Sequence, residues 1–310
     1  MNLVFMGTPE FACPILEMLH QHHNILLVVT QPDKPVGRKK ILTPSPIKSL
    51  ATQLGLNIFQ PEKLKEDYLK ILALSPDLVI TAAYGQMLPK ELLEQVVAIN
   101  VHGSLLPEYR GGAPIQYALF DGKKETGVTI MYMAFKMDSG EIIKQASIPI
   151  DGEDNYQTLS HKLSLLGAKL LKEVLDAYAL GKIESRPQDP SQVTFAYTLK
   201  YQDEKLSFDW PTEKIINKIR GLSPEPGAYS IFHGQTIKFY HARKSDIMID
   251  SSIMPGTILK VKKELLIKTW DGVVEILEIL VPGKKKMTVK DFLNGQNMFK
   301  ENDVFIEGNE

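Results

Sequence analysis

Asn100 and His102 lie two residues apart at the start of a stretch, Asn100 to Pro114, that sets an amide, an imidazole, the hydroxyl of Ser104 and a Gly-rich bend directly after an apolar run. An imidazole ordinarily titrates near about pH 6.5, so it holds or releases a proton close to neutrality. A side-chain amide donates a hydrogen bond to developing negative charge without bringing a charge of its own. Residues of these types at this spacing suit a catalytic loop that handles a proton beside a hydrogen-bond donor. Taken singly they also admit plainer readings: His102 as a structural histidine behind a strand, and Asp138, within Met137-Asp138-Ser139-Gly140, as a turn or helix-cap aspartate.

The elements around that loop must position it. Val96-Val97-Ala98-Ile99 is short, β-branched and free of charge, which fits a buried parallel strand better than a helix. While the chain stays extended, Asn100 and His102 project from one face of it. In open α/β sheets ligands bind at the carboxyl ends of strands, where both residues fall. Alternating strand and helix patterns through the first two-thirds of the chain predict the rest of such a sheet, doubly wound and mostly parallel. Strands are expected at Leu3 to Met6, Ile25 to Thr30, Leu56 to Phe59, Leu78 to Ala82 and Val97 to Val101, with helices near Phe11 to His20, Pro46 to Leu54, Leu64 to Leu74 and Lys90 to Glu94. Thr126 to Met133 and Ile142 to Ile150 read as further strands, and Leu159 to Leu180 as a long helix that Gly181 is placed to stop.

Residues 182–200 carry Pro187, Pro190 and scattered polar residues with little periodicity, and read as a linker. That places one domain at 1–181 and another at 201–310. In the second, a helix around Thr212 to Arg220 precedes strands at Ala228 to His233, Gln235 to His241, Gly256 to Lys260, Leu265 to Trp270 and Val273 to Leu280, with turns at His233-Gly234 and Asp271-Gly272. Five short strands so spaced predict a small β-barrel.

A chain of 310 residues exceeds the usual single-domain size, and 44% hydrophobic with 24% charged residues is ordinary for a globular protein. The single cysteine, Cys13, excludes an intramolecular disulfide and a cysteine-rich zinc site, and reads as a small buried hydrophobe in the first helix. The opening Met1-Asn2-Leu3-Val4-Phe5 has no basic n-region, and no apolar run approaches the roughly 18 residues of a membrane span, so a reduced, cytoplasmic setting without a membrane is expected. Gly7-Thr8-Pro9 ends the first strand but lacks the further glycines and the acidic residue of a dinucleotide fingerprint, which counts against an NAD enzyme. A formal net charge of -1 neither recruits nor excludes nucleic acid. Its distribution says more, because Lys34, Arg38, Lys39, Lys40 and Lys48 fall in a stretch that holds no acid. From Tyr201 onward 16 basic residues face 16 acidic ones, so a basic face there requires segregation; Lys260, Lys262, Lys263 and Lys284 to Lys286 are candidates, or else solvated lysines at turns.

Together with Asp138, the segment from Asn100 to Pro107 resembles the folate-dependent formyltransferases, whose Asn, His and Asp triad surrounds a Ser-Leu-Leu-Pro turn. The resemblance covers almost the whole chain. Met6 to Phe11 is similar to the family's opening strand, turn and helix, and Ala82 to Pro89 to its folate-pocket loop. Thr30 to Lys40, followed by Thr43 to Lys48, looks like the basic insertion of the methionyl-tRNA formyltransferase branch. Glu125 to Met131 and Gly283 to Met287 match further on.

The resemblance implies a formyltransferase-type, Rossmann-like α/β domain followed by an OB-like β-barrel domain that binds tRNA. It implies transfer of a formyl group from 10-formyltetrahydrofolate to initiator methionyl-tRNA, without metal and with no obligate protein partner. Asn100, His102 and Asp138 are then the catalytic residues. Ser104, Leu105, Leu106 and Pro107 are implied to line the folate pocket with Tyr84, Gln86, Met87 and Leu88, while Arg38, Lys39 and Lys40 reach the tRNA. Two positions depart from the family pattern: Arg38-Lys39-Lys40 is continuous where many members insert a glycine, and Glu225 stands where tryptophan is common. Competing readings are a same-fold formyltransferase acting on an amino-sugar nucleotide or hydrolysing formyltetrahydrofolate, and a non-catalytic RNA-binding protein. The latter leaves Asn100, His102 and Asp138 without a purpose. Arg110 is readable either as charge supplied to a ligand or as a surface partner of Glu108 or another carboxylate.

Overall fold

The computed structural model describes residues 1–37, 39–295 and 298–305. They group into two compact units: Met1–Pro114 with Glu125–Ile150 and Leu159–Thr198, and Ile115–Lys124 with Asp151–Thr158 and the chain from Leu199 onward.

The first unit holds β1 (Asn2–Gly7), β2 (Asn24–Val29), β3 (Lys34–Val36), β4 (Ile41–Thr43), β5 (Ile58–Phe59), β6 (Leu78–Ala82), β7 (Ala98–His102), β8 (Glu125–Tyr132) and β9 (Ile142–Pro149). Seven of these form one sheet in the order β5-β2-β1-β6-β7-β8-β9. The first five strands of that order run parallel, β8 alone runs against them, and β9, antiparallel to β8, returns to their direction, giving the mostly parallel sheet that the alternating pattern predicts. Strands β6 and β7 are buried at every position, as strands covered on both faces must be. On one face Val4, Met6, Val79 and Ala98 pack with Leu64, Ile71 and Leu92 from α3 (Leu64–Asp67), α4 (Leu69–Leu72) and α5 (Lys90–Leu93). On the other lie α1 (Cys13–His22) and α7 (Tyr156–Ala179), whose Gly167 approaches so closely that a β-carbon there would meet Val101 at 2.9 Å. Near the sheet edge, α2 (Pro46–Gln53) starts at Ser45, whose hydroxyl accepts from the Lys48 amide.

Several elements differ from expectation. The single helix expected at Leu64 to Leu74 is two short ones that meet at Tyr68. The basic Pro-rich stretch is a two-stranded hairpin, with Lys34 opposite Thr43 and Pro35 opposite Leu42. Three-residue strands with a proline in one carry no readable alternation, and proline is tolerated because the pair has free edges. Residues 182–200, read as a linker, hold no regular element beyond a short turn at Pro190–Gln192. Yet they stay with the first unit as far as Thr198, where Arg186 bridges Ile142 and Phe195 bridges Arg110. Isolated bridges of this kind leave no periodicity to read.

Cys13 is half-buried, and its thiol is pushed up to about 11, by burial first and by the charges of Glu10 and Glu17 after it. Because only the thiolate reacts, alkylation at pH 8 is expected to run roughly a hundredfold slower than for an exposed thiol. Mass-spectrometric labelling kinetics check this, and a rate within a few-fold of free cysteine contradicts it.

The second unit contains nearly all of α6 (Pro114–Phe120), together with α8 (Thr212–Gly221) and α9 (Val289–Leu293). Its strands are β10 (Ala228–Phe232), β11 (Gln235–Ser245), β12 (Ile258–Lys260), β13 (Leu265–Lys268), β14 (Val273–Leu280) and β15 (Met287–Thr288). They form a curled antiparallel sheet in the order β10-β11-β14-β13-β12, with β15 added on β14 and register shifts in β11 around His241. Phe208, Phe232, Phe239, Phe292, Phe299 and Phe305 fill its core. His233 and Gly234 both have positive φ between the paired Phe232 and Gln235, the geometry of a tight hairpin turn. Asp271 does more than turn the chain: its carboxylate accepts from the Thr212 amide at 2.8 Å at the start of α8. Among the described residues, no helix is long and apolar enough to cross a membrane.

Candidate active site

Strands β6 and β7 run parallel with Thr81 opposite Asn100, so the loops that follow them emerge at the same end of the sheet. Asn100 and His102 are 8% and 5% exposed. The Thr81 hydroxyl donates to Asn100 Oδ1 at 2.7 Å, which orients the amide. Among the described residues nothing accepts from the Asn100 amide nitrogen, so its N–H groups are left for a ligand. His102 Nε2 lies 2.9 Å from the Tyr109 carbonyl oxygen. A carbonyl only accepts, so Nε2 carries hydrogen and the neutral ring presents its lone pair at Nδ1. Asp138 Oδ2 lies 3.8 Å from that nitrogen, beyond hydrogen-bond reach but at ion-pair distance once the ring is protonated. Asp138 itself has φ 45°, a conformation aspartate tolerates, and its Oδ2 accepts from the Gly111 amide at 2.8 Å. It ties the Gly-rich bend to the histidine and does not cap a helix.

The loop is held by residues that the sequence does not single out. Thr129, opposite His102 in β8, donates to the Ser104 carbonyl at 2.7 Å and accepts from the Leu106 amide at 3.0 Å and Gln145 Nε2 at 2.9 Å. Gln145 Nε2 also reaches the Leu106 carbonyl at 2.8 Å. Gln188 donates to the carbonyls of Asp138 and Gly140 and accepts two bonds from the Arg110 guanidinium, so Arg110 braces the Asp138 turn through a neutral side chain. Gly111 sits at φ 127° with the Ala196 carbonyl where a β-carbon would be, which restricts that position to glycine.

The residues implied for the folate pocket divide by placement. The Ser104 hydroxyl donates to the Glu108 carbonyl at 2.6 Å and closes its own turn. Leu106 is buried with Met131 and Ile142, whereas Leu105 and Pro107 are half-buried. Leu88 and Tyr84 are buried in the core beneath the β6 loop. Among the described residues the buried Tyr84 hydroxyl has no hydrogen-bond partner, and burial pushes it up to about 12, while the Tyr84 carbonyl accepts from Thr8 and Gln31. Gln86 accepts from the Leu64 amide and donates to the Glu62 carbonyl, a brace for the neighbouring loop. Met87 is 54% exposed at the same end of the sheet. Of the basic residues, Lys39 and Lys40 are exposed at the tip of the β3–β4 hairpin, and Arg38 lies outside the described residues. Lys48 is held in a 2.6 Å pair with Asp33 and so belongs to the base of that hairpin. In the second unit Lys260 and Lys286 pair with Glu264 and Glu278, while Lys262, Lys263, Lys284 and Lys285 are exposed.

A parallel sheet whose strand ends gather a free amide donor, an imidazole and a carboxylate, continued by a curled antiparallel sheet, defines a two-domain group-transfer enzyme. The chain belongs to the formyl transferase family: residues 1–175 match its formyl transferase domain and residues 198–297 its C-terminal domain. It is 49% identical over 299 residues to the methionyl-tRNA formyltransferase of Listeria welshimeri, covering 95% of each chain. Among solved structures it superposes on WlaRD, a sugar 3N-formyl transferase determined with dTDP and 5-N-formyl-THF, with a TM-score of 0.67 at 18% identity over 92% of this chain and 99% of that one. HypX from Aquifex aeolicus, determined with tetrahydrofolic acid, gives a TM-score of 0.63 at 16% identity over 94% of this chain, which spans about half of HypX (47%).

Proposed function

We propose that this protein transfers the formyl group of 10-formyltetrahydrofolate to the amino group of initiator methionyl-tRNA in the cytoplasm, with catalysis in residues 1–181 and acceptor binding shared with 201–310. The observation that carries the chemistry is the pairing of an unengaged Asn100 amide nitrogen with a His102 ring whose accepting nitrogen faces Asp138. The acceptor amine attacks the formyl carbon, a C–N bond forms, and the formyl oxygen takes up negative charge that Asn100 Nδ2 stabilises by donation. The proton shed by the attacking nitrogen passes to His102 Nδ1, where Asp138 pairs with the resulting imidazolium. That proton then moves to N10 of the folate as its bond to the formyl carbon breaks, and His102 returns to neutrality. Exposed Met87 and half-buried Leu105 and Pro107 are the surface offered to the folate, on the end of the sheet that holds the triad.

The likeness to sugar formyltransferases resides in the fold, so the acceptor must be selected elsewhere. The exposed basic hairpin suits a phosphate backbone. Formyl transfer from labelled 10-formyltetrahydrofolate is expected with charged initiator tRNA, and much less with elongator tRNA or amino-sugar nucleotides. Replacing Arg38, Lys39 and Lys40 together by alanine should flatten the salt dependence of tRNA binding, by about 0.7–0.9 in slope for each phosphate that is no longer neutralised. The KM for the folate donor should stay unchanged. Preference for an amino-sugar nucleotide over tRNA, or an unaltered salt dependence in the triple variant, overturns this reading of the acceptor.

A further inference from the structure

Phe195 and Tyr197 are 46% and 59% exposed, and their rings lie parallel, 1° apart in tilt with centroids 5.5 Å apart. They alternate with Ala196, which is fully buried, so an extended strip turns both rings outward from one face. The strip is pinned to the catalytic loop through backbone bonds: the Arg110 amide donates to the Thr194 carbonyl at 2.9 Å, the Ala196 amide to the Arg110 carbonyl at 2.8 Å, and the Ala113 amide to the Ala196 carbonyl at 3.0 Å. The Thr194 hydroxyl accepts from the Tyr109 amide at 2.9 Å. Tyr109 is the residue whose carbonyl holds His102, and Gly111 is the residue whose amide holds Asp138. Two aromatic faces are therefore fixed, without being buried, on the backbone segment that positions the triad.

We infer that Phe195 and Tyr197 form a stacking platform for the unpaired bases at the 3′ end of the acceptor. This rests on the proposed function. The amine to be formylated is carried on the ribose at the end of a single-stranded run, so the last nucleotides must pass beside the Arg110 to Ala113 backbone as the amine reaches Asn100 and His102. Single-stranded ends are held by stacking on exposed aromatic rings, because every base has a π-face whatever its identity. Rings that are parallel and held by a strip tied down through its backbone lose little freedom on binding. The platform thus complements the basic hairpin: one grips phosphates, and the other fixes where the terminal bases lie.

The test uses the full-length enzyme and initiator tRNA carrying 2-aminopurine at its 3′-terminal position. Binding to the wild-type protein should quench the fluorophore by stacking. The double variant Phe195→Leu/Tyr197→Leu keeps apolar bulk on an exposed strip and removes the π-faces. It should lose the quench and raise the KM for charged tRNA about fivefold or more, the effect of losing one stacked base. The KM for the folate donor should not change. The aromatic exchange Phe195→Tyr/Tyr197→Phe should retain both quench and KM. A leucine double variant with wild-type KM and wild-type quench overturns the platform while formylation of tRNA stands. Failure of the wild-type enzyme to formylate charged tRNA overturns the underlying function and the platform with it.

Discussion

His102→Ala is expected to lower the turnover of formyl transfer by about 10²–10⁴, the range supplied by a positioned acid–base group. In the site, Nε2 is committed to the Tyr109 carbonyl and only Nδ1 can take up the proton of the attacking amine. Alanine removes that acceptor and one hydrogen bond to the Tyr109 carbonyl, which costs about 1 kcal/mol of stability, far less than unfolding requires. Asn100→Ala and Asp138→Ala should each cost at least about 10², the first by withdrawing the oxyanion donor and the second by withdrawing the partner of the imidazolium. Single-turnover rates at saturating donor, with circular dichroism to confirm folding, separate chemistry from binding. Turnover of His102→Ala within a few-fold of wild type would remove the histidine from the mechanism.

What was legible in the sequence is what is local. A β-branched run followed by polar residues two apart announces a strand end, and β7 carries Asn100 and His102 on one face there, although it begins at Ala98 and not one residue earlier. The hairpin at His233-Gly234 and the helix stopped before Gly181 are equally local, each set by a turn chemistry confined to a few residues. The supporting shell is not local. Thr129 reaches the Ser104 turn only because β8 returns antiparallel beside β7 and sets it opposite His102. Gln188 reaches the Asp138 turn from a segment whose prolines and polar residues read as a linker. The grouping of Ile115–Lys124 and Asp151–Thr158 with the second unit also follows from long-range packing, which no periodicity reports. For the loops proposed to face the folate, sequence marks the stretch but not which side chains turn inward: Leu88, Tyr84 and Gln86 all serve the protein's own interior or its neighbouring loops.

Thr129→Val should be the most damaging substitution outside the triad, although it changes shape hardly at all. The hydroxyl uses its full capacity, donating once and accepting twice, and it is fully buried. Valine leaves the Leu106 amide without an acceptor and the Ser104 carbonyl without that donor, whereas Gln145 keeps the Leu106 carbonyl. Two orphaned backbone groups at about 1–3 kcal/mol each predict a loss of about 2–6 kcal/mol, read as a lower urea midpoint at unchanged slope. Because both groups belong to the turn proposed to face the folate, the KM for the donor should rise about tenfold, with a smaller effect on turnover at saturation. Thr129→Ser restores the hydroxyl and gives up only a methyl group, so it should recover most of the KM defect. A valine variant with wild-type donor KM and wild-type midpoint would show that the Ser104 to Leu106 turn holds its shape without this hydroxyl.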